Sequence, residues 1–392
     1  MKKNNAYIVS GVSVAKAGAL MILLIISTFS ASGLLASFET GSRLSSLAVN
    51  RSHQEIKGEL LYQFMGWENH YFAGAAGSDA SPKLTSLFLG LSANINLDDP
   101  RSLLGRELPG FYSFDGRIVV AGEGTNYTNM PMESAPPIEI MKAEREAALQ
   151  NLEDIPDPEK SPGAPAARWK DGVFVYFSHN RESYLPYLKG ETNPDRAYHS
   201  KINVTKIGDQ LKESLEARGI GTFVDKTDIN NILVNKGLGF GSSYVESRNV
   251  VKEAMATNKE LQYFFDIHRD AHRKKKTTKT INGKSYAKLA FVIGAEHPNY
   301  KKNLKLAEDL HALMEKNYKG LSRGVIEKKG VDTNGKFNQD LSGNAILIEF
   351  GGVDNTFEEL NRSADALADV FADYFWQAES VSNPKEQPAD KQ

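Results

Sequence analysis

Three short stretches place histidine or glutamate directly after a run of apolar residues. The first is Val173-Phe174-Val175-Tyr176-Phe177, which runs out into Ser178-His179-Asn180-Arg181-Glu182. The second leads from 261 into Phe265-Asp266-Ile267-His268-Arg269-Asp270, and the third is Ala345-Ile346-Leu347-Ile348-Glu349 followed by Phe350-Gly351-Gly352. Apolar runs of this length read as buried strands, and in open α/β sheets functional groups gather at the carboxyl ends of strands. His179, His268 and Glu349 are therefore expected at one sheet edge. Hydrolytic zinc needs about three protein ligands and an open position. Two histidines and a carboxylate meet that need, and a further carboxylate must then move the proton between water and leaving group.

The rest of the inventory narrows the chemistry. The 392 residues include no cysteine, which excludes a disulfide framework, Cys-based zinc fingers, iron–sulfur clusters and a thiol nucleophile. Of the eight histidines, His53 and His70 lie in the first quarter of the chain, His199 in a polar stretch, His297 before Pro298 and His311 within a helical pattern. His272 opens the basic run His272-Arg273-Lys274-Lys275-Lys276, read either as a contact for anionic polymers or as a solvated loop. Gly237-Leu238-Gly239-Phe240-Gly241 lacks the strand–helix context of a dinucleotide loop. There is no Walker motif and no Gly-x-Ser-x-Gly elbow. A formal net charge of −2 argues against a general nucleic-acid binder.

The elements that must position these groups alternate. Strands are expected at 173–177, 221–224, 261–267, 288–293, 320–327 and 345–350. Helices are expected at 205–218, 243–257, 303–316 and 356–376. That alternation predicts an α/β domain whose mostly parallel sheet is flanked by helices, spanning 169–379. A polar tail at 380–392 is expected to be disordered.

The first part of the chain has a different character. Between Lys16 and Glu39 lie 22 uncharged residues, which as a helix span about 33 Å, enough for a bilayer core. With Lys2, Lys3 and Lys16 ahead of it, residues 1–16 are expected in the cytoplasm, 17–38 as a single transmembrane anchor, and the rest outside. The rival is a cleaved signal peptide, with small residues at Ala31-Ser32-Gly33 and Leu35-Ala36-Ser37. Residues 39–130 form a smaller membrane-proximal region, with a helix over 55–72 and a strand-like stretch at 111–120 broken by the turn pair Asp115-Gly116. Prolines and charges make 131–168 a linker.

The chain resembles the stage II sporulation protein P family of endospore-forming bacteria. The resemblance is carried by Val175-Tyr176-Phe177-Ser178-His179-Asn180-Arg181-Glu182-Ser183-Tyr184-Leu185-Pro186, Asp266-Ile267-His268-Arg269-Asp270 and Ile346-Leu347-Ile348-Glu349-Phe350-Gly351-Gly352-Val353-Asp354-Asn355-Thr356. Phe291-Val292-Ile293-Gly294, Gly122-Glu123-Gly124-Thr125-Asn126-Tyr127-Thr128 and the single anchor extend it. That family is in turn similar to zinc-dependent N-acetylmuramoyl-L-alanine amidases. The resemblance implies a zinc amidase-like fold and a peptidoglycan hydrolase that cuts the amide joining N-acetylmuramic acid to L-alanine, with endopeptidase activity on cross-links as a further property. It implies the sporulation septum and engulfing membrane as the setting, and stage II sporulation proteins D and M as partners.

On the same resemblance, His179 and His268 are zinc (Zn2+) ligands and Glu349 is the catalytic base and acid. The third ligand is Glu182, three residues after His179, with Glu246 on a later helix as the alternative. Arg269 is expected either to steer a substrate carboxylate or to pair with Asp266 or Asp270. The family pattern has His-Thr-His where this chain has Phe177-Ser178-His179, so His179 is the retained ligand. That departure motivates the competing expectation of a weakly active or inactive wall-binding scaffold.

Overall fold

The structure, a computed structural model, describes residues 116–142, 170–330 and 333–382, with the single positions Met21 and Ser27. The expected anchor at 17–38, the helix over 55–72 and most of the 39–130 region lie outside the described residues. Among the described residues no helix is long and apolar enough to cross a membrane.

In chain order the strands are β1 (Gly116–Ala121), β2 (Lys170–Tyr176), β3 (Ile220–Val224), β4 (Tyr263–Asp270), β5 (Thr278–Ile281), β6 (Lys284–Ala287), β7 (Leu289–Gly294), β8 (Ser322–Lys328) and β9 (Ala345–Gly352). The helices are α1 (Ile138–Lys142), α2 (Thr205–Glu216), α3 (Ile229–Lys236), α4 (Ser243–Thr257), α5 (Lys274–Thr277), α6 (Tyr300–Asn317) and α7 (Phe357–Ser382). Seven strands form one sheet in the order β1-β8-β7-β9-β4-β2-β3. The pairs β3/β2, β2/β4, β4/β9 and β7/β8 are parallel, while β9/β7 and β8/β1 are antiparallel. The sheet is thus mostly parallel, as the alternation of elements predicts. β5 and β6 form a separate hairpin closed by Asn282-Gly283, both at positive φ, the conformation a two-residue turn of this hand needs.

Successive side chains of a strand point to opposite faces, and the core follows that rule. Phe265 and Ile267 of β4, with Ile346, Ile348 and Phe350 of β9, pack into the main cluster together with α2, α6 and α7. Helix α7 supplies Leu360, Ala364, Leu367, Phe371 and Phe375, a buried stripe at helical spacing. On the other face, Asp266 and His268 of β4 lie beside Leu347 and Glu349 of β9, because the register pairs Asp266 with Leu347 and His268 with Glu349. Both strands are buried along their whole length.

Three stretches differ from expectation. Of the strand-like stretch at 111–120, the residues before Gly116 lie outside the described ones, and the apolar run Ile118-Val119-Val120 lies within β1. That strand joins the main sheet beside β8, more than 200 residues later, with Ile118 opposite Ile326. Residues 131–142, expected at the start of a linker, are docked on the domain: Met130, Ser134, Ile140 and Met141 are buried. At the other end α7 continues to Ser382, into the expected tail.

Candidate metal centre

The local fold of the 178–182 loop explains why His179 and Glu182 act together. The Glu182 N–H donates to the His179 carbonyl at 3.0 Å, closing a turn that folds Glu182 back beside the histidine. Asn180 and Arg181 anchor the turn from outside on Asp228, at 2.9 Å for Asn180 and 2.6 Å for the shorter Arg181 contact. Glu182 is fully buried. Its Oε1 lies 3.7 Å from His179 Nδ1 and its Oε2 3.7 Å from His268 Nδ1, and the Arg269 N–H donates to Oε2 at 2.9 Å. The three residues proposed as ligands from the sequence are therefore brought together by β2 and β4.

His268 is fixed from behind. Its Nε2 lies 3.0 Å from Asp266 Oδ1, and Asp266 in turn accepts the Ser178 N–H at 2.8 Å and the Ser178 hydroxyl at 2.6 Å. A carboxylate on the far ring nitrogen is the usual way a ligating histidine is oriented. The two imidazoles meet edge to face, with centroids 4.7 Å apart. Tyr244 of α4 stacks along His268, and Phe240 stacks on His179 at 4.1 Å. The glycine-rich 237–241 stretch thus ends α3, with Gly237 in the left-handed conformation, and delivers Phe240 to the site.

A fourth group comes from a segment expected to be linker. Glu133 Oε1 lies 2.8 Å from His179 Nδ1 and accepts the Tyr244 hydroxyl at 3.0 Å. The metal-binding atoms of Glu133, His179 and His268 lie within 4.8 Å of one another. The neighbouring His179 charge and hydrogen bond hold the Glu133 carboxyl down at about 2, and against burial, the largest single effect on His179, Glu133 with Glu182 raises that histidine to about 10. His268 is also raised, by Asp266 and Glu182 against burial.

Glu349 sits beside His268 across the β4/β9 pairing, and burial pushes its carboxyl up to about 8, with Asp270 and Glu182 adding repulsion and His268 opposing. Its Oε2 is buried without a hydrogen-bond partner.

Two expected roles are not met. Glu246 pairs with Lys236 at 2.8 Å, and neither the histidines nor Glu349 contact it, so it is not part of this cluster. Arg269 is completely buried and reaches neither solvent nor Asp266 nor Asp270. Its guanidinium donates to Ser134 Oγ and the Ala197 carbonyl, both at 3.2 Å, and lies over the Tyr198 ring. Asp270 pairs instead with Arg323 and His272. Arg273 to Lys276 of the basic run are exposed, as in a solvated loop, with ion pairs and hydrogen bonds at the surface. Arg273 pairs with Asp354, Lys274 with Glu359, and Lys276 donates to the Thr128 carbonyl.

Residues 98–372 match the family model described as Stage II sporulation protein P (SpoIIP). The chain belongs to the stage II sporulation protein P family. Stage II sporulation protein P of Bacillus subtilis (strain 168) is 50% identical over 389 residues, covering 97% of each chain. The solved N-acetylmuramoyl-L-alanine amidase from Clostridium difficile 630 is similar over 56% of this chain and 100% of its own, at 16% identity and a TM-score of 0.30. Cwp6 from Clostridium difficile is similar over 52% of this chain and 29% of its own, at 18% identity and a TM-score of 0.31. Likeness of that extent carries no argument about the reaction, which is read from the residues of this family member.

Those residues fit a cation. Zinc ligands about 2.1 Å from the ion at tetrahedral angles stand roughly 3.4 Å apart. His179 Nδ1 and Glu182 Oε1 stand 3.7 Å apart. Glu182 Oε1 is buried without a hydrogen-bond partner, and buried polar atoms ordinarily have one, so a carboxylate oxygen left open at ligand spacing from an imidazole nitrogen suits a zinc ion. Glu133 was missed from sequence because it lies between prolines with no periodic pattern; nearness to His179 is a property of the fold.

Proposed function

We propose that this chain is a membrane-anchored peptidoglycan hydrolase that cleaves the amide between N-acetylmuramic acid and L-alanine, in the septal wall remodelled during sporulation. The observation that carries this reading is the buried set His179, Glu182 and His268 with Glu349 alongside. His179, Glu182 and His268 would hold zinc. Bound there, zinc supplies the Lewis acidity that activates water, polarises the scissile carbonyl and draws the Glu349 carboxyl toward its ionised form.

Glu349 then does the proton work. It takes a proton as the water oxygen bonds to the carbonyl carbon. The C–N bond breaks with its electron pair going to nitrogen, and Glu349 delivers the proton there. One water is consumed, leaving the lactyl carboxylic acid on the sugar and a free amine on the stem peptide. Burial suits this residue, because its raised affinity for a proton makes it an effective donor to the leaving amine. A small cavity lined by Ser178, Asn180, Tyr198, Phe240 and Ser243 lies beside His179. Stage II sporulation proteins D and M are proposed partners on the family relationship.

The test is product identity and metal content with the full-length protein on isolated sacculi. Free stem peptides should be released, a chelator should stop the release, and Glu349→Gln should lower it by 100-fold or more with zinc retained. Glu182→Ala should lose zinc and Glu246→Ala keep it. Split cross-links with no freed stem peptide would favour an endopeptidase, and bound zinc with no cleavage at all would favour the scaffold reading.

A further inference from the structure

Glu133, His179 and His268 place metal-binding atoms within 4.8 Å of one another, and Glu182 stands 3.7 Å from the Nδ1 of each histidine, so four donors surround the position. Zinc sites closed by four protein ligands are structural, while hydrolytic sites keep one position open. On the hydrolase reading, then, one donor has to yield. The side chains of His179, Glu182 and His268 are at most 1% exposed and rise from the sheet edge and its adjoining turn. Glu133 is 31% exposed and rides on a strap, residues 129–134, laid across the strand ends.

The strap is fastened at points away from the ligands. Arg323, buried and paired with Asp270, donates to the Asn129 carbonyl. The Met132 N–H donates to Asp270 at 3.1 Å, and the Met132 carbonyl accepts the Ala271 N–H at 3.0 Å. Arg269 and Tyr198 hold Ser134. Tyr244, by contrast, belongs to α4 and is packed against His179, His268 and Phe337, so its place does not depend on the strap. Its hydroxyl donates to Glu133 Oε1, the oxygen that also lies against His179. A hydrogen-bond donor 2.7–3.1 Å from a negatively charged oxygen, in a water-poor site beside a cation position, is the geometry that stabilises a developing oxyanion. The Tyr244–Glu133 distance of 3.0 Å falls within it.

We propose that Glu133 Oε1 occupies the place of the substrate's scissile carbonyl oxygen, and that Tyr244 is a further catalytic residue that donates to that oxygen once the strap lifts. This rests on the hydrolase reading above. The structure is then the closed state, in which a carboxylate of the chain itself covers the reaction centre. Substrate competes with Glu133 for the Tyr244 hydroxyl and the open position.

The experiment uses full-length protein, a soluble N-acetylmuramoyl-peptide and zinc analysis. Glu133→Ala, and the milder Glu133→Gln, should keep stoichiometric zinc and cleave several-fold faster than wild type. Adding Tyr244→Phe to Glu133→Ala should lower kcat by about 10²-fold, as for loss of one oxyanion donor, with KM and zinc content unchanged. A non-catalytic readout accompanies these. In zinc-loaded Glu349→Gln protein, saturating muramoyl-peptide should speed hydrogen exchange at the Met132 amide, which the strap holds on Asp270. Loss of zinc in both Glu133 variants would make Glu133 a holding ligand and overturn the displacement. An unchanged kcat in the double variant would overturn the role of Tyr244. Faster Met132 exchange in that variant, with no amide cleavage by the wild type or by Glu133→Ala, would leave the displacement standing and instead overturn the assigned reaction.

Discussion

His179 has two carboxylate neighbours, and they make the metal-free protein sensitive to pH in a defined direction. Its pKa is raised from 6.5 to about 10, and that of Glu133 is lowered from 4.5 to about 2. A raised histidine stabilises the fold fully below its unfolded value and loses that contribution as pH climbs toward 10. A depressed carboxyl stabilises fully above its unfolded value and loses that contribution as pH falls toward 2. Both contributions are complete together between about pH 4.5 and 6.5. In metal-free protein, the melting temperature of wild type should exceed that of Glu133→Ala most in that window, and the gap should shrink as pH rises to 10. A gap of equal size at pH 6 and pH 10 would show that the pair contributes nothing. At this scale the sequence was informative where chemistry follows directly from a strand. His179, His268 and Glu349 each end an apolar run, and Glu182 follows by a short turn. Glu133 and Tyr244 were hidden, because their partners are 46 and 65 residues away and nothing in their own neighbourhood marks them.

Elements decide what the departure at Phe177 means. If the Phe177 position faced the metal, replacing a histidine there would weaken the site. The structure turns it the other way. Phe177 is buried in the main cluster with Ile207 and Leu211, and its ring lies against Gly208 of α2, where an added Cβ would come within 2.6 Å. Helix α2 and the strand end are fitted to each other through a glycine and an aromatic ring. Phe177→Ala should therefore destabilise the fold by about 3–5 kcal/mol, the range for an aromatic removed from a core, with zinc content per folded molecule unchanged. Denaturant unfolding together with metal analysis measures both, and a folded variant that has lost its zinc would return Phe177 to the site. The buried strands were legible because runs such as Leu289-Ala290-Phe291-Val292-Ile293 have few other readings. Helix α3 went unread because eight residues give too little periodicity, and β1 was misplaced because its partner is β8.

For the whole molecule the question is how the 170–382 domain is held in place. Expected from sequence as separate regions, the segment 116–142 and the 170–382 domain share one sheet, since β1 is its edge strand and the strap runs on from it. In sequence, the segment that enters the site is the described part nearer to the uncharged 17–38 stretch. Twenty-two uncharged residues preceded by Lys2, Lys3 and Lys16 have the length and flanking charge of a spanning helix. A water-soluble chain would have to bury Leu20-Met21-Ile22-Leu23-Leu24-Ile25-Ile26 in a core of its own. The full-length protein should sediment with membranes, resist alkaline carbonate and be released by detergent, and a chain starting at residue 39 should remain in the supernatant with its zinc. Protease added from outside the cell should cut the 170–382 domain of the full-length form and leave residues 1–16 protected. Release of the full-length form by carbonate alone would overturn the anchor. Cleavage just after 31–37 in the mature protein would replace it with the signal-peptide reading, and the proposed hydrolase would then have to reach its substrate without a tether.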